Sequence, residues 1–160
     1  MTSVNSEKPA QDSCGYVEVT TIDHPEVIMK VEMRNEILFK APTRVGLLAD
    51  VCDALGAKGV NILAIGAYDK GGDGEFLLLT SNNRDASEAL LALGGTVDFV
   101  PVVWAEMPNE PGALAKIARR IAEHGINVSQ IHATTADAPT AGIVLRTDCE
   151  IDVIKMLGDL

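Results

Sequence analysis

Two stretches of the chain repeat the same order of apolar and polar positions. Residues 42–62 read PTRVGLLADVCDALGAKGVNI, and residues 108–128 read PNEPGALAKIARRIAEHGINV, offset by 66 residues without a gap. Pro42/Pro108, Gly46/Gly112, Leu48/Leu114, Ala49/Ala115, Gly59/Gly125 and Asn61/Asn127 are identical pairs. Val51/Ile117, Leu55/Ile121, Val60/Ile126 and Ile62/Val128 exchange one aliphatic side chain for another. Self-similarity at a fixed period is the mark of a duplicated structural unit.

Each copy predicts a helix with both ends marked. Its apolar stripe is Leu47, Leu48, Val51, Cys52 and Leu55 in the first copy, and Leu114, Ile117, Ala118, Ile121 and Ala122 in the second. That is the spacing of one buried helix face. Asn109 is placed to act as N-cap ahead of Glu110 and Pro111, residues that suit a first turn. Gly59 and Gly125 can take the left-handed conformation that closes a helix.

Strands follow at once, NILAIGAY and NVSQIHATT. After a turn-rich stretch in each copy come EFLLLT and GIVLRT, so each copy contains a hairpin. Second helices are predicted in RDASEALLALG and EIDVIKMLGDL, and opening strands in EILFKA and VVWAEM. TVDFV closes the first copy, giving βαββαβ, whereas the second copy reaches Leu160 without a closing strand. The fold class is therefore α+β: two ferredoxin-like βαββαβ modules, antiparallel sheets with helices on one face, the second lacking its own final strand. The expected division is a disordered or weakly ordered tail at 1–24, an extra strand at 25–34, one module at 35–100 and another at 101–160. The alternating segment Val27–Met33 has no counterpart in the second copy and is expected to fill the vacant sheet edge, in cis or from another protomer. Only Pro101 separates the modules, so they should move together.

The pattern P-x-x-x-G-x-L-A, then a helix, then G-[VI]-N-[IV], resembles the ACT family of amino-acid-sensing regulatory modules. The resemblance covers about residues 37–160 and is closest in MPNEPGALAKIARRIAEHGINVSQI. It implies a non-enzymatic sensor that binds a small amino acid between the loop opening the first helix and the start of the second strand, at a module interface. The implied ligand-binding residues are Asn109, Gly112 and Asn127 in the second copy, and Gly46 and Asn61 in the first. Thr43 and Val45 stand where the second copy has Asn109 and Pro111, so the second copy has the more complete loop. Chemistry points the same way: a helix N-terminus favours a carboxylate, glycine admits close approach to the backbone, and an Asn amide both donates and accepts. The alternative is an interaction or assembly subunit of a biosynthetic enzyme that binds no ligand of its own.

Net charge is −10 with scattered basic residues, which disfavours a nucleic-acid partner. No apolar run approaches the roughly 18 residues of a membrane span, and the first residues lack the apolar core of a secretory leader. Those features make a cytoplasmic protein the expectation; unpaired sheet edges favour a homo-oligomer, a dimer or a tetramer, and the resemblance implies a possible enzyme partner. His24, His124 and His132 lack metal-ligand spacing, and no nucleophile–base pair or cofactor fingerprint is present. His132 on the second strand is a candidate ligand contact; Cys52 and Trp104 read as packing residues.

Overall fold

The computed structural model describes residues 30–135 and 138–158. Residues 1–24, expected to be a tail, and residues 25–29 of the expected extra strand lie outside this range. The described chain runs β1 (Lys30–Pro42), α1 (Leu47–Ala57), β2 (Ile62–Lys70), β3 (Asp73–Thr80), α2 (Asn83–Leu91), β4 (Thr96–Pro108), α3 (Ala113–Glu123), β5 (Val128–Thr134), β6 (Thr140–Thr147) and α4 (Glu150–Gly158). All strand pairs are antiparallel, and the sheet order is β2-β3-β1-β4-β6-β5. This is the mixed α+β architecture of two ferredoxin-like units.

The units are joined by shared strands. β1 and β4 each span 13 residues, and their ends differ by the repeat offset. They pair from Lys30↔Glu106 to Lys40↔Thr96. The first half of β1 therefore lies beside the part of β4 that pairs with β6, and occupies the sheet edge for which the second copy has no strand of its own. Val31 packs from this half-strand onto the second core. The expected boundary at 100/101 falls inside β4, which runs through Pro101 unbroken. Proline is tolerated there because β4 gains its second neighbour, β6, only from Val103 onward.

Residues 66 apart are equivalents, and Asn35 pairs with Pro101, its own equivalent. A pseudo-two-fold axis therefore passes through that pair. Both helix pairs cover the same sheet face. Ile37, Phe39, Val51, Leu55, Leu78 and Leu90 centre one core, and Val103, Ile117, Ile121, Ile143, Leu145 and Leu157 the other. α1 buries Leu47, Val51 and Leu55, a narrower stripe than the sequence predicts: Leu48 and Cys52 are exposed. In α3, Ala113, Ile117 and Ile121 are buried, whereas Ala118 and Ala122 face outward.

A third core lies on the helix-free face. Ala64 of β2, Leu79 of β3, Val102 of β4 and Val144 of β6 are buried together, with Leu63 and Trp104 against them. The sheet thus folds this face inward until its edge strands β2 and β5 meet at Gly66 and His132. We call this inter-module layer the seam.

Candidate functional site

The loops that open α1 and α3 have the same geometry. Gly46 and Gly112 are the N-cap residues, each at φ 89°, and neither helix has a side-chain cap hydrogen bond. Asn109 is not the N-cap expected from sequence. Its backbone N–H donates to the Pro139 carbonyl at 2.9 Å, and its Nδ2 donates to the Ala138 carbonyl at 2.9 Å. The glycine supplies the left-handed turn that an asparagine three residues earlier cannot, and Asn109 ties the loop to the β5–β6 hairpin.

Asn127 begins the chain into β5 at the opposite end of the module. Its N–H donates to Asp148 Oδ1 at 3.2 Å, and the Asp148 N–H donates back to its carbonyl at 3.3 Å. Asn61 stands in the same way to Ser81: its N–H donates to Ser81 Oγ at 2.9 Å and its carbonyl accepts from the Ser81 N–H at 3.0 Å. Pro108 pairs with Thr140 and Val128 with Thr147, so the length of β6 separates Asn109 from Asn127. Seven steps along a strand are about 23 Å. Asn109 and Gly112 share one loop; Asn127 does not join them within its own module. The same separation holds for Gly46 and Asn61.

Next to Asn61 the seam opens into a cavity of about 530 Å³, lined by Met33, Arg34, Asn35, Leu63, Leu79, Thr80, Ser81 and Asn83. Asn83 Nδ2 donates to the Asn35 carbonyl at 2.7 Å, and the Thr80 hydroxyl donates to Asn83 Oδ1 at 2.7 Å. The Arg34 guanidinium lies 5.6 Å from the Trp104 ring centre and pairs with Glu32. That partner holds the Glu32 carboxyl below the usual carboxylate range.

One polar cluster is absent from the sequence reading. Glu36 is only 1% exposed. Its Oε2 accepts from Gln130 Nε2 at 2.7 Å, and its Oε1, which has no hydrogen-bond partner, lies 3.5 Å from His132 Nε2. Burial pushes the Glu36 carboxyl above its usual range, opposed by Gln130 and by the nearby His132 and Arg146. The available signal is a lone acid at the head of the apolar run EILFKA, facing a histidine whose equivalent, 66 residues earlier, is glycine. Only the folded sheet makes these residues neighbours.

Among the described residues, no group of three or more His, Cys, Asp or Glu is arranged to hold a metal ion. None of the helices in that range is long and apolar enough to cross a membrane.

Comparison with known proteins gives a family model, the ACT domain, that matches twice, at residues 35–94 and 105–153. No curated protein matches. Among solved structures, the chain is similar to protein BT0572 from Bacteroides thetaiotaomicron, with a TM-score of 0.74 and 22% identity over 81% of this chain and 89% of that one. It is also similar to the ligand-free regulatory subunit of aspartate kinase from Thermus thermophilus: TM-score 0.61, 17% identity, 83% of this chain and 97% of that chain. Aspartate kinase from Clostridium acetobutylicum matches at a TM-score of 0.51 and 12% identity, over 86% of this chain but 36% of that one. These identities speak for the fold.

Proposed function

We propose that this chain, which belongs to the ACT domain family, is a non-enzymatic regulatory sensor that binds a small amino acid and signals to a partner protein of amino-acid metabolism. The observation that carries this reading is the side-chain-free cap at Gly112. A helix N-terminus that is capped by glycine leaves backbone N–H groups and a partial positive charge for a ligand carboxylate. Asn109 stands on the rim of that loop.

Asn127 enters the same site only from another module, because the length of β6 keeps it from Asn109 within its own. The ligand therefore bridges two protomers, and a homodimer is the smallest assembly that completes it. A bridging ligand stabilises the assembled state over the free one, which is how a binding event becomes a signal. The Thermus thermophilus neighbour is a regulatory subunit of aspartate kinase, which supports an enzyme as the partner.

The test is thermal unfolding with each of the twenty amino acids at millimolar concentration. A ligand at a hundred times its Kd stabilises by about 2.7 kcal/mol. The expected result is one amino acid, or a small group, that raises the midpoint, with the gain lost in Asn109→Ala and in Asn127→Ala. No response to any of the twenty overturns the sensor reading.

One observation favours a second reading, an assembly subunit without a ligand. In the first module Thr43 and Val45 replace Asn109 and Pro111, and Val45 and Leu48 are exposed on that loop and helix. Such a surface suits protein contact better than zwitterion binding. Co-purification with a biosynthetic enzyme, together with no ligand response, separates this reading from the first.

A further inference from the structure

Across the seam the duplicated chain is not symmetric, and three of its departures fall in one place. Gly66 and His132 are equivalents and lie against each other, where two full side chains would collide: a Cβ on Gly66 would sit 2.5 Å from His132 Cε1. The equivalent of Gln130 is Ala64, and that of Glu36 is Val102; both are buried and apolar. The three polar partners thus occupy one side of the pseudo-two-fold, and small or apolar side chains fill the other.

In one tautomer of the His132 ring the cluster leaves Glu36 Oε1 without a donor. Gln130 Nε2 serves Glu36 Oε2 and also lies 3.0 Å from His132 Nε2, where it can donate only if that nitrogen carries no hydrogen. Glu36 Oε1 is then buried beside His132 Nε2 with nothing to accept from. A proton on Glu36 Oε1 makes the buried carboxyl a neutral acid whose O–H faces His132 Nε2. Without it the seam holds a bare carboxylate, which burial penalises.

Few other charges are within reach. Arg146 of β6 acts on Glu36 through space. Arg34, on the same strand, is committed to Glu32. β4 presents Val100 and Val102, and β2 presents Gly66, with the Tyr68 hydroxyl beside the same contact.

We propose that Glu36, Gln130 and His132 form a proton-operated latch that keeps the two half-sheets closed while Glu36 carries a proton, and that releases the seam when that proton passes to solvent. The sign follows from Glu36. Its carboxyl is raised in the folded chain, so its contribution to stability is fully present below the ordinary value of 4.5 and is lost as pH rises through the raised folded value. Opening frees one proton, so the opening equilibrium grows by up to about tenfold per pH unit in that window.

The experiment compares wild type with Glu36→Gln by amide hydrogen exchange in Ala64–Gly66 and Gln130–His132, and by the emission of Trp104, the single tryptophan, which packs on the seam. In wild type, as pH rises above 4.5 through the raised Glu36 value, seam exchange should rise by up to about tenfold per unit beyond the chemical increase, and Trp104 emission should shift red. In Glu36→Gln both trends should disappear while the helix-side strands exchange as in wild type. Parallel pH profiles in the two proteins overturn the latch and leave a purely structural cluster. If Glu36→Gln fails to fold, wild type alone decides: seam exchange that follows only the chemical rate law sinks the proposal.

Discussion

Trp104 covers Gly142 from the neighbouring strand: a Cβ on Gly142 would lie 2.3 Å from Trp104 Cη2 and 2.8 Å from Cζ2. β4 and β6 pair there, with Trp104 opposite Val144 and Gly142 opposite Glu106, so the indole reaches diagonally over the glycine. The Arg34 guanidinium lies over the indole, 5.6 Å from its centre, and the indole Nε1 donates to Glu106 Oε1 at 3.4 Å. These contacts leave the ring little freedom to move away.

Gly142→Ala should therefore cost about 1–3 kcal/mol, the usual penalty of overpacking. Denaturant unfolding measures it, and Trp104 emission should change in the same variant. Pairing it with Trp104→Leu should recover part of the loss, because neighbours that share a contact are not additive.

Val31 tests the borrowed edge. It packs on the second core from the first half of β1 and lies 3.5 Å from the site of a Cβ on Gly158 in α4. Val31→Asp should destabilise by about 1–3 kcal/mol by placing a charge against an apolar core. Deletion of residues 25–34 should do more, raising amide exchange along Val102–Glu106. An unchanged midpoint after the deletion would show that this half-strand does not support the second module.

Helix capping separates structure from binding. Asn82 Oδ1 accepts from the Arg84 and Asp85 N–H groups at 3.1 and 3.2 Å, so Asn82→Ala should cost about 1 kcal/mol. Gly112→Ala should also destabilise, by about 1–2 kcal/mol, because its φ of 89° is unfavourable for a residue with a Cβ. Only the second should also weaken an amino-acid response in the thermal assay.

Two acids should give stability slopes of opposite sign. Lys40 and Glu75 face each other across β1 and β3, 2.9 Å apart, and Lys40 holds the Glu75 carboxyl below its ordinary value. A lowered folded value means stability that is present above 4.5 and lost as pH falls through it. Glu75→Gln should flatten the acid limb of a stability–pH curve, whereas Glu36→Gln should flatten the limb at rising pH. If both substitutions change the same limb, one of these assignments fails.

The candidate site was half legible in the sequence. Gly46 and Gly112 are recognisable from the repeat, and both cap helices as left-handed residues. Asn109 reads as a cap because Asn is a common N-cap, but a hairpin carbonyl from residue 138 competes for its amide, and no local pattern reveals that. Glu36 looks like a solvated strand acid until the sheet curls and brings β5 against it.

The sequence alone determined what repeats and what is local: the duplication, the four helices, the glycine stops after α1 and α3, the hairpins, and the centre of the buried stripe on those two helices. These follow from periodicity and from backbone preferences that act over a few residues. Tertiary structure decided what depends on pairing between distant segments. It merged residues 30–34 of the extra strand into β1, carried β4 through Pro101, placed Asn109 and Asn127 at opposite ends of β6, and set His132 against Gly66. Strand pairing satisfies backbone hydrogen bonds whose partners lie anywhere in the chain, so periodicity can predict a strand but not its neighbour.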